Sequence, residues 1–341
     1  MRFGNDVGVD LGTAGMRIYI RGQGVILREP SVLAVDRQSG RVLQTGEEAR
    51  KMLGRTPASL CALRPIGGGV IADFDMAVKL LREALRRTLP FNLVKPRLVF
   101  SVPDSITQVE ERAIVQAGLQ VGARRVYLVE APLAAAMGAG LSGREPGGRM
   151  VVDIGAGCAD AAVLSMGSIY RSLSVGAAGD AMNEAIIRYV RRAHGILIGE
   201  SSAEEAKLGM GCVWEPREDA ACEVRGRDLL TGLPRSILLR ETEMPEALEE
   251  TVLQLLDAIR MLLEQIPPEM VADIAGTGIV LTGGGSCLRG LDQKLQEYTH
   301  IPVLLAEKPE DCVIEGMEKI LERLDSMQDG ARNIARRKLL S

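Results

Sequence analysis

Residues 151–163 read VVDIGAGCADAAV, an apolar strand that runs straight into Asp153 and a glycine turn, and a near copy, VGVDLGTAGMRIYI, begins at residue 7. Both copies continue in the same way. After the first, MRIYI and VIL flank Gly22-Gln23-Gly24; after the second, AAVLS and SIYRSLSV flank Met166-Gly167. Apolar runs separated by short glycine-containing turns are hairpin signals. One local fold therefore occurs twice, which points to two similar lobes.

The chemistry that such a stretch can support follows from its glycines. Without a Cβ, and with positive φ allowed, a turn after a strand lets backbone N–H groups converge on an anion. A single copy reads as a plain turn, but two with matching hairpins favour a polyphosphate gripped from both sides. Asp10 and Asp153, at the strand ends, suit Mg²⁺, which takes one or two carboxylates, phosphate oxygens and water. A third run, GIVLTGGGSCLRGL (278–291), again passes from apolar strand to glycines and then to the expected helix LRGLDQKLQEY. Glycines 283–285 would let the backbone approach a ligand at that helix start.

The rest of the chain frames these turns. Its 341 residues favour two domains or two lobes, and 46% hydrophobic content fills their cores. A net charge of −4 with dispersed Lys and Arg, and only 3% aromatics, argues against nucleic-acid binding. Six scattered cysteines without a CxxC pair, and two histidines, argue against zinc or a disulfide framework. MRFGND lacks the apolar core of a signal peptide and no run is long enough to span a bilayer, so a cytoplasmic protein is expected. Helical spacing appears in DMAVKLLREALRR (Ala77, Val78, Leu81, Leu85), in NEAIIRYVRR (Ile186, Ile187, Val190) and over 246–264 (Leu248 to Leu263), the last expected to pack on the second lobe. Residues 213–239, polar and turn-rich, read as a small inserted subdomain. Hairpins feeding helices imply an α/β fold with mixed sheets.

In this order the pieces resemble the actin, sugar-kinase and heat-shock-chaperone ATPase superfamily, and more narrowly the MreB family of bacterial actins that organise cell shape. The resemblance runs from about residue 6 to about residue 322. Beyond the phosphate loops it is carried by EPSVLAVDRQSGRVLQTGEEARKMLGRTP (29–57), GVIADFD (69–75), AGDAMNEAIIRYVRR (178–192), GESSAEEAK (199–207) and LTGGGSCLRGLDQKL. It implies an α/β actin-like ATPase fold: two facing lobes, each a ribonuclease-H-like mixed sheet flanked by helices, with the nucleotide in the cleft. Lobe I would comprise 1–141 plus about 305–330, with a small insertion at about 29–75. Lobe II would comprise 148–304, with an insertion at about 205–243, and 331–341 a basic tail.

The resemblance also implies site residues. Thr13, Ala14 and Gly15 match the first phosphate loop and Gly155, Ala156 and Gly157 the second. Glu204, Glu205 and Lys207 match a segment that contacts ribose and adenine, and Gly284, Gly285 and Ser286 the adenine-side loop. On the residues alone, Glu204 and Lys207 read as an exposed i,i+3 ion pair. Asp10 and Asp153 match the acids that hold Mg²⁺ through water; ATP and Mg²⁺ are the implied cofactors.

Three departures stand out. Within YLVEAPLAAAMGAG (127–140), Ala131 occupies the place of a family glutamate that positions the attacking water. A methyl group can neither orient nor deprotonate water, and Glu130, one step along an extended chain, would face the other way. The catalytic residue is thus left unassigned, with Glu130 a poor substitute. The second loop carries Ala156 and Cys158 where the family has glycine and threonine, and Gly15 and Met16 replace asparagine and threonine in the first. ATP binding with slow or absent turnover is the expectation.

Leu89, Phe91 and Leu93 in TLPFNL match the membrane-insertion loop of the family, beside Arg86 and Arg87, and tucking of this loop into its own lobe is the alternative. The tail GARNIARRKLLS adds Arg332, Arg336, Arg337 and Lys338. The implied partners are the chain itself or a paralogue in filaments, the inner face of the cytoplasmic membrane and the cell-wall elongation machinery. A sugar-type kinase on the same fold is the alternative; it would need a substrate-facing acidic base, and no candidate carboxylate stands out. A chaperone-type ATPase would need a peptide-binding domain after the adenine loop.

Overall fold

The computed structural model describes residues 5–89, 94–141 and 146–324. These fall into two units, one drawn from residues 1–145, 164–170 and 310–341, the other from 146–163 and 171–309.

The first unit opens with the antiparallel meander β1 (Asp6–Leu11), β2 (Gly15–Ile20) and β3 (Gly24–Pro30). Its second turn uses Gly22 and Gly24, at φ 79° and 90°. A three-stranded sheet follows, built from β4 (Leu33–Asp36), β5 (Val42–Thr45) and β6 (Leu60–Leu63) with the one-turn helix α1 (Glu47–Arg50). The ribbon β7 (Ile66–Gly67) and β8 (Val70–Ile71) leads into α2 (Phe74–Thr88), whose first turn is capped by Asp73 accepting from Met76 N–H. Then come β9 (Arg97–Val102), α3 (Gln108–Gln120) behind a Thr107/Glu110 capping box, β10 (Arg125–Glu130) and α4 (Ala131–Gly138). The sheet order is β10-β9-β1-β2-β3, with β9 and β10 parallel to β1. Val7, Val9, Ile18, Leu98 and Phe100 form its core with Leu80 and Leu81 of α2.

A second five-stranded sheet, drawn mostly from the second unit, repeats the plan. β11 (Arg149–Ile154), β12 (Ala159–Ser165) and β13 (Ser168–Val175) form the meander, and its tip places Met166 and Gly167 at φ 52° and 75°, the left-handed pair of a two-residue hairpin loop. The chain continues through α5 (Gly179–His194), β14 (Ile196–Leu197), α6 (Glu200–Met210), β15 (Ala221–Asp228), β16 (Pro234–Arg240), α7 (Met244–Glu264) and α8 (Pro268–Thr277). It closes with β17 (Ile279–Thr282), α9 (Leu291–Thr299) and β18 (Val303–Leu305). The order β13-β12-β11-β17-β18 matches the first sheet read outward from its central strand: a meander on one side, two parallel strands on the other. α10 (Cys312–Arg323) belongs to the first unit, where it packs against α4 and β1.

Several local expectations shift. α7 begins at Met244 and buries Leu262 completely, with Leu263 only partly buried. α9 starts at Leu291 rather than 288, because Gly290 stands at φ 81° and a Cβ there would overlap Trp214. Residues 213–239 fold largely as the β15–β16 hairpin extended by β14. At its tip the Asp228 carboxylate accepts from Leu230 N–H, Thr231 N–H and Thr231 Oγ1 (2.9, 2.8 and 3.1 Å) and pairs with Arg235. These donors, the Thr231 amide foremost and the Arg235 guanidinium next, hold the Asp228 carboxyl at about 2, below its usual 3.8. A depressed folded value gives stability that is present above pH 3.8 and lost as pH falls through 2. Asp228→Asn should therefore remove the acid-induced rise in hydrogen exchange at the Leu230 and Thr231 amides over that window.

Candidate functional site

Asp10 and Asp153 each stand one residue before the end of the central strand of their sheet. Two residues on, Gly12 N–H donates to the Gly15 carbonyl (3.1 Å) and Gly155 N–H to the Cys158 carbonyl (2.9 Å), so both turns close with one bond pattern. A Cβ on Gly12 would stand 2.9 Å from the Gly15 oxygen, which makes glycine obligatory there. A hydroxyl on the neighbouring parallel strand braces each acid: Ser101 Oγ donates to Asp10 Oδ1 and Thr282 Oγ1 to Asp153 Oδ1, both at 2.8 Å. Neither hydroxyl stands out in the sequence. Their signal is a lone hydroxyl in largely apolar strands, RLVFSV and IVLT, and its meaning depends on strand register.

In the first turn, Ser31 ties back the carbonyls, with its Oγ donating to Gly12 O (2.6 Å) and its N–H to Ala14 O (3.1 Å). Thr13 is buried and its hydroxyl accepts from Gly69 N–H (2.9 Å), while Ala14 is exposed and Gly15 partly so. Arg17, directly across the β1–β2 ladder, places Nη1 3.5 Å from Asp10 Oδ2. Burial pushes the Asp10 carboxyl above its ordinary range, opposed by Arg17 and Ser101.

The second turn is docked on a helix start. Gly155 O accepts from Gly179 N–H (3.1 Å) and Ala156 O from Asp180 N–H (2.8 Å), the first amides of α5. Gly157 is partly exposed beside them. Lys207 Nζ donates to Gly179 O (2.9 Å) and to Glu204 Oε2 (2.7 Å), which also accepts from Asn183 Nδ2 (2.6 Å). The Glu204–Lys207 pair is thus no solvated surface pair: its lysine is 12% exposed and it braces α6 against the start of α5. Glu205 is exposed and outside this network.

The third glycine run adjoins the same turn. Gly283, at φ 80°, would overlap the Ile154 carbonyl if it carried a Cβ, and a Cβ on Gly285 would meet the Ile154 side chain. Two of the three glycines are therefore required by packing on the end of β11, rather than by the freedom to meet a ligand that the sequence suggests. Gly284 is the exposed one, and the buried Ser286 donates its Oγ to Gly283 O (2.6 Å). The structure thus gathers 155–157, the α5 start, Glu204, Lys207 and 283–286 within the second unit.

Ala131 is the first residue of α4 and Glu130 its N-cap, so the step between them crosses a strand-to-helix boundary rather than continuing an extended chain. Leu89 caps α2, donating its N–H to Leu85 O (2.8 Å), and packs partly buried against the first core. Phe91 and Leu93, like the basic tail, lie outside the described residues. No helix among the described residues is long and apolar enough to cross a membrane.

Among the described residues no three or more His, Cys, Asp or Glu side chains cluster to hold a metal, so a divalent ion here would draw most ligands from phosphate and water. The hydroxyl-braced Asp153 fits such an ion. Asp10, with a guanidinium on it, does not.

Two five-stranded sheets of one topology, each presenting an Asp-x-Gly turn beside its parallel strands, define an actin-like protein. Residues 4–329 match the model of the MreB/Mbl protein family, and the chain belongs to that family. It is 46% identical over 329 residues to the cell shape-determining protein MreB of Escherichia coli (strain K12), covering 95% of each chain. To the cell shape-determining protein Mbl of Bacillus subtilis (strain 168) it is 44% identical over 326 residues, 95% of this chain and 98% of that one. Among solved structures, MreB5 of Spiroplasma citri bound to AMPPNP superposes with a TM-score of 0.90 at 31% identity, covering 96% of this chain and 98% of that one. Family membership sets the kinase alternative aside.

Proposed function

We propose that this chain is an ATP-binding, actin-like cytoskeletal protein that assembles into filaments, alone or with a paralogue, at the inner face of the cytoplasmic membrane. There it directs cell-wall growth and cell shape together with the elongation machinery, with weak or absent ATP hydrolysis. The observation that carries the reading is the doubled turn, with one closure and one hydroxyl brace in each unit. The phosphates lie against Thr13, Ala14 and Gly15 and against Gly155, Ala156 and Gly157. Glu204, Glu205 and Lys207 meet the ribose side, and Gly284, Gly285 and Ser286 the adenine. Mg²⁺, held by Asp153 through water, supplies charge neutralisation for the phosphates when bound. The two lobes run over 1–141 with about 305–330 and over 148–304. Contact with the anionic leaflet falls to Phe91 and Leu93, since Leu89 is occupied by its own core.

Sedimentation with ATP and vesicles of anionic lipid tests the assembly. Protein pelleting with vesicles in ATP, and losing vesicle attachment in Phe91→Ser/Leu93→Ser, is the expected outcome; pelleting that ignores both nucleotide and lipid would refute it.

The adenine-side assignment has its own reporter. The single tryptophan, Trp214, packs on Gly290, its neighbour Val213 donates N–H to Arg289 O (3.0 Å), and Lys294 Nζ lies 5.4 Å from its ring centroid. A ligand at 284–286 should therefore alter Trp214 emission saturably. Unchanged emission at ATP concentrations where binding is established by dialysis would remove that loop from the site.

A further inference from the structure

Glu241 directly follows β16 and is 0% exposed, yet two guanidiniums reach it. Arg217 supplies three donors: its backbone N–H to Oε1 at 2.7 Å, and Nε and Nη2 to Oε2 at 2.9 and 2.6 Å. Arg289 Nη2 pairs with Oε1. A carboxylate taken wholly out of water is tolerated only with partners of this kind. The two cations have no such need, since Arg217 is 57% and Arg289 42% exposed. The buried acid is therefore what makes them converge.

The three residues come from separate places. Glu241 N–H donates to Ala220 O (2.9 Å), just beyond the Ala221–Arg240 pair, so Glu241 and Arg217 stand at the root of the β15–β16 hairpin. Arg289 belongs to the loop after the third glycine run. Its backbone bridges Cys212 and accepts from Val213 N–H, and its Nη1 donates to Glu215 O (3.3 Å). One carboxylate thus stitches the hairpin root to that loop.

A pocket of about 320 Å³, within the range of small-molecule sites, opens beside the stitch. Ser286, Cys287, Leu288, Arg289, Trp214 and Asp292 line it. An indole, an aliphatic side chain and a few polar groups suit a flat heterocycle. The pocket shares Ser286 with the loop that the nucleotide reading gives to adenine.

We propose that Glu241 is a positioning residue for the nucleobase: through Arg289 it holds the 286–290 loop in the shape the base meets, and through Arg217 it ties that loop to the root of the β15–β16 hairpin, so that base binding tightens the root. A site held from behind in this way is pre-organised without the holding residue touching the ligand. The inference rests on the nucleotide reading above.

Calorimetric titration of the full chain with Mg·ATP and with inorganic tripolyphosphate, which lacks the base, tests it. Glu241→Gln should weaken ATP binding about 10-fold and leave tripolyphosphate within about 2-fold of the wild type. No change for ATP, or an equal loss for both ligands, overturns the role of Glu241 and leaves the nucleotide reading standing. Should the variant fail to fold, or tripolyphosphate bind too weakly to measure, amide exchange of the wild type decides. Saturating ATP should slow the Arg217 and Glu241 amides at least about 5-fold more than the Leu230 and Thr231 amides at the hairpin tip. Equal slowing at root and tip overturns the proposal. A wild type that takes up no ATP overturns both readings.

Discussion

Ala131→Glu is expected to raise phosphate release from Mg·ATP by on the order of 100-fold over a wild type that binds ATP but barely turns it over. The site admits the change. Ala131 opens α4 and is partly exposed, and an acidic side chain in the first turn of a helix is favoured by the helix dipole. The carboxylate would stand at the start of the helix, able to orient a water and accept its proton, which the methyl cannot do. Release should be normalised to bound labelled ATP, so that a change in affinity is not mistaken for a change in chemistry. Wild-type release that already equals the variant's would show that another group positions the water, and the scaffold reading would fail.

The second large effect is on stability. α4 and α10 meet backbone to backbone: a Cβ on Gly316 would overlap the Ala134 carbonyl, and one on Gly138 the Cys312 carbonyl. No flexible side chain can yield at these points, so the helices must separate. Gly316→Val should destabilise the first unit by about 3 kcal/mol, the upper part of the usual range for overpacking. Gly276→Ala is the matched contrast. That glycine lies inside α8 with nothing within 4 Å of its added Cβ, and alanine there should stabilise by about 0.5–1 kcal/mol. Chemical denaturation of both variants decides the matter, and a neutral Gly316→Val would mean that the α4–α10 contact is looser than described.

What could be read from the residues, and what could not, divides along the range of the interactions. The two meanders were legible because alternation, glycine turns and hairpin loops are properties of a few consecutive residues, and Asp10 and Asp153 came with them. Ser101, Thr282 and Arg17 were not, since each acquires its role only when strand register sets it opposite an acid. The glycines at 283 and 285 look like a ligand loop, yet what they avoid is Ile154, over 120 residues away in sequence. The β15–β16 hairpin was hidden for a different reason: its many exposed charges, Arg225, Arg227 and Arg235 among them, resemble a solvated loop until pairing shows the alternation.

The placement of α10 bears on how this molecule is made. The face of α4 that it covers is synthesised before the whole of the second unit, while α10 itself follows it. At translation rates of about 5–20 residues per second, the Ala134 and Met137 face of the nascent chain stays uncovered for on the order of ten seconds to half a minute. The second unit can complete its own sheet in that interval; the first cannot finish until the ribosome has passed residue 323. A prematurely terminated chain therefore displays a bare apolar helix to the chaperones and proteases of the cell, and assembly is reserved for chains read through α10.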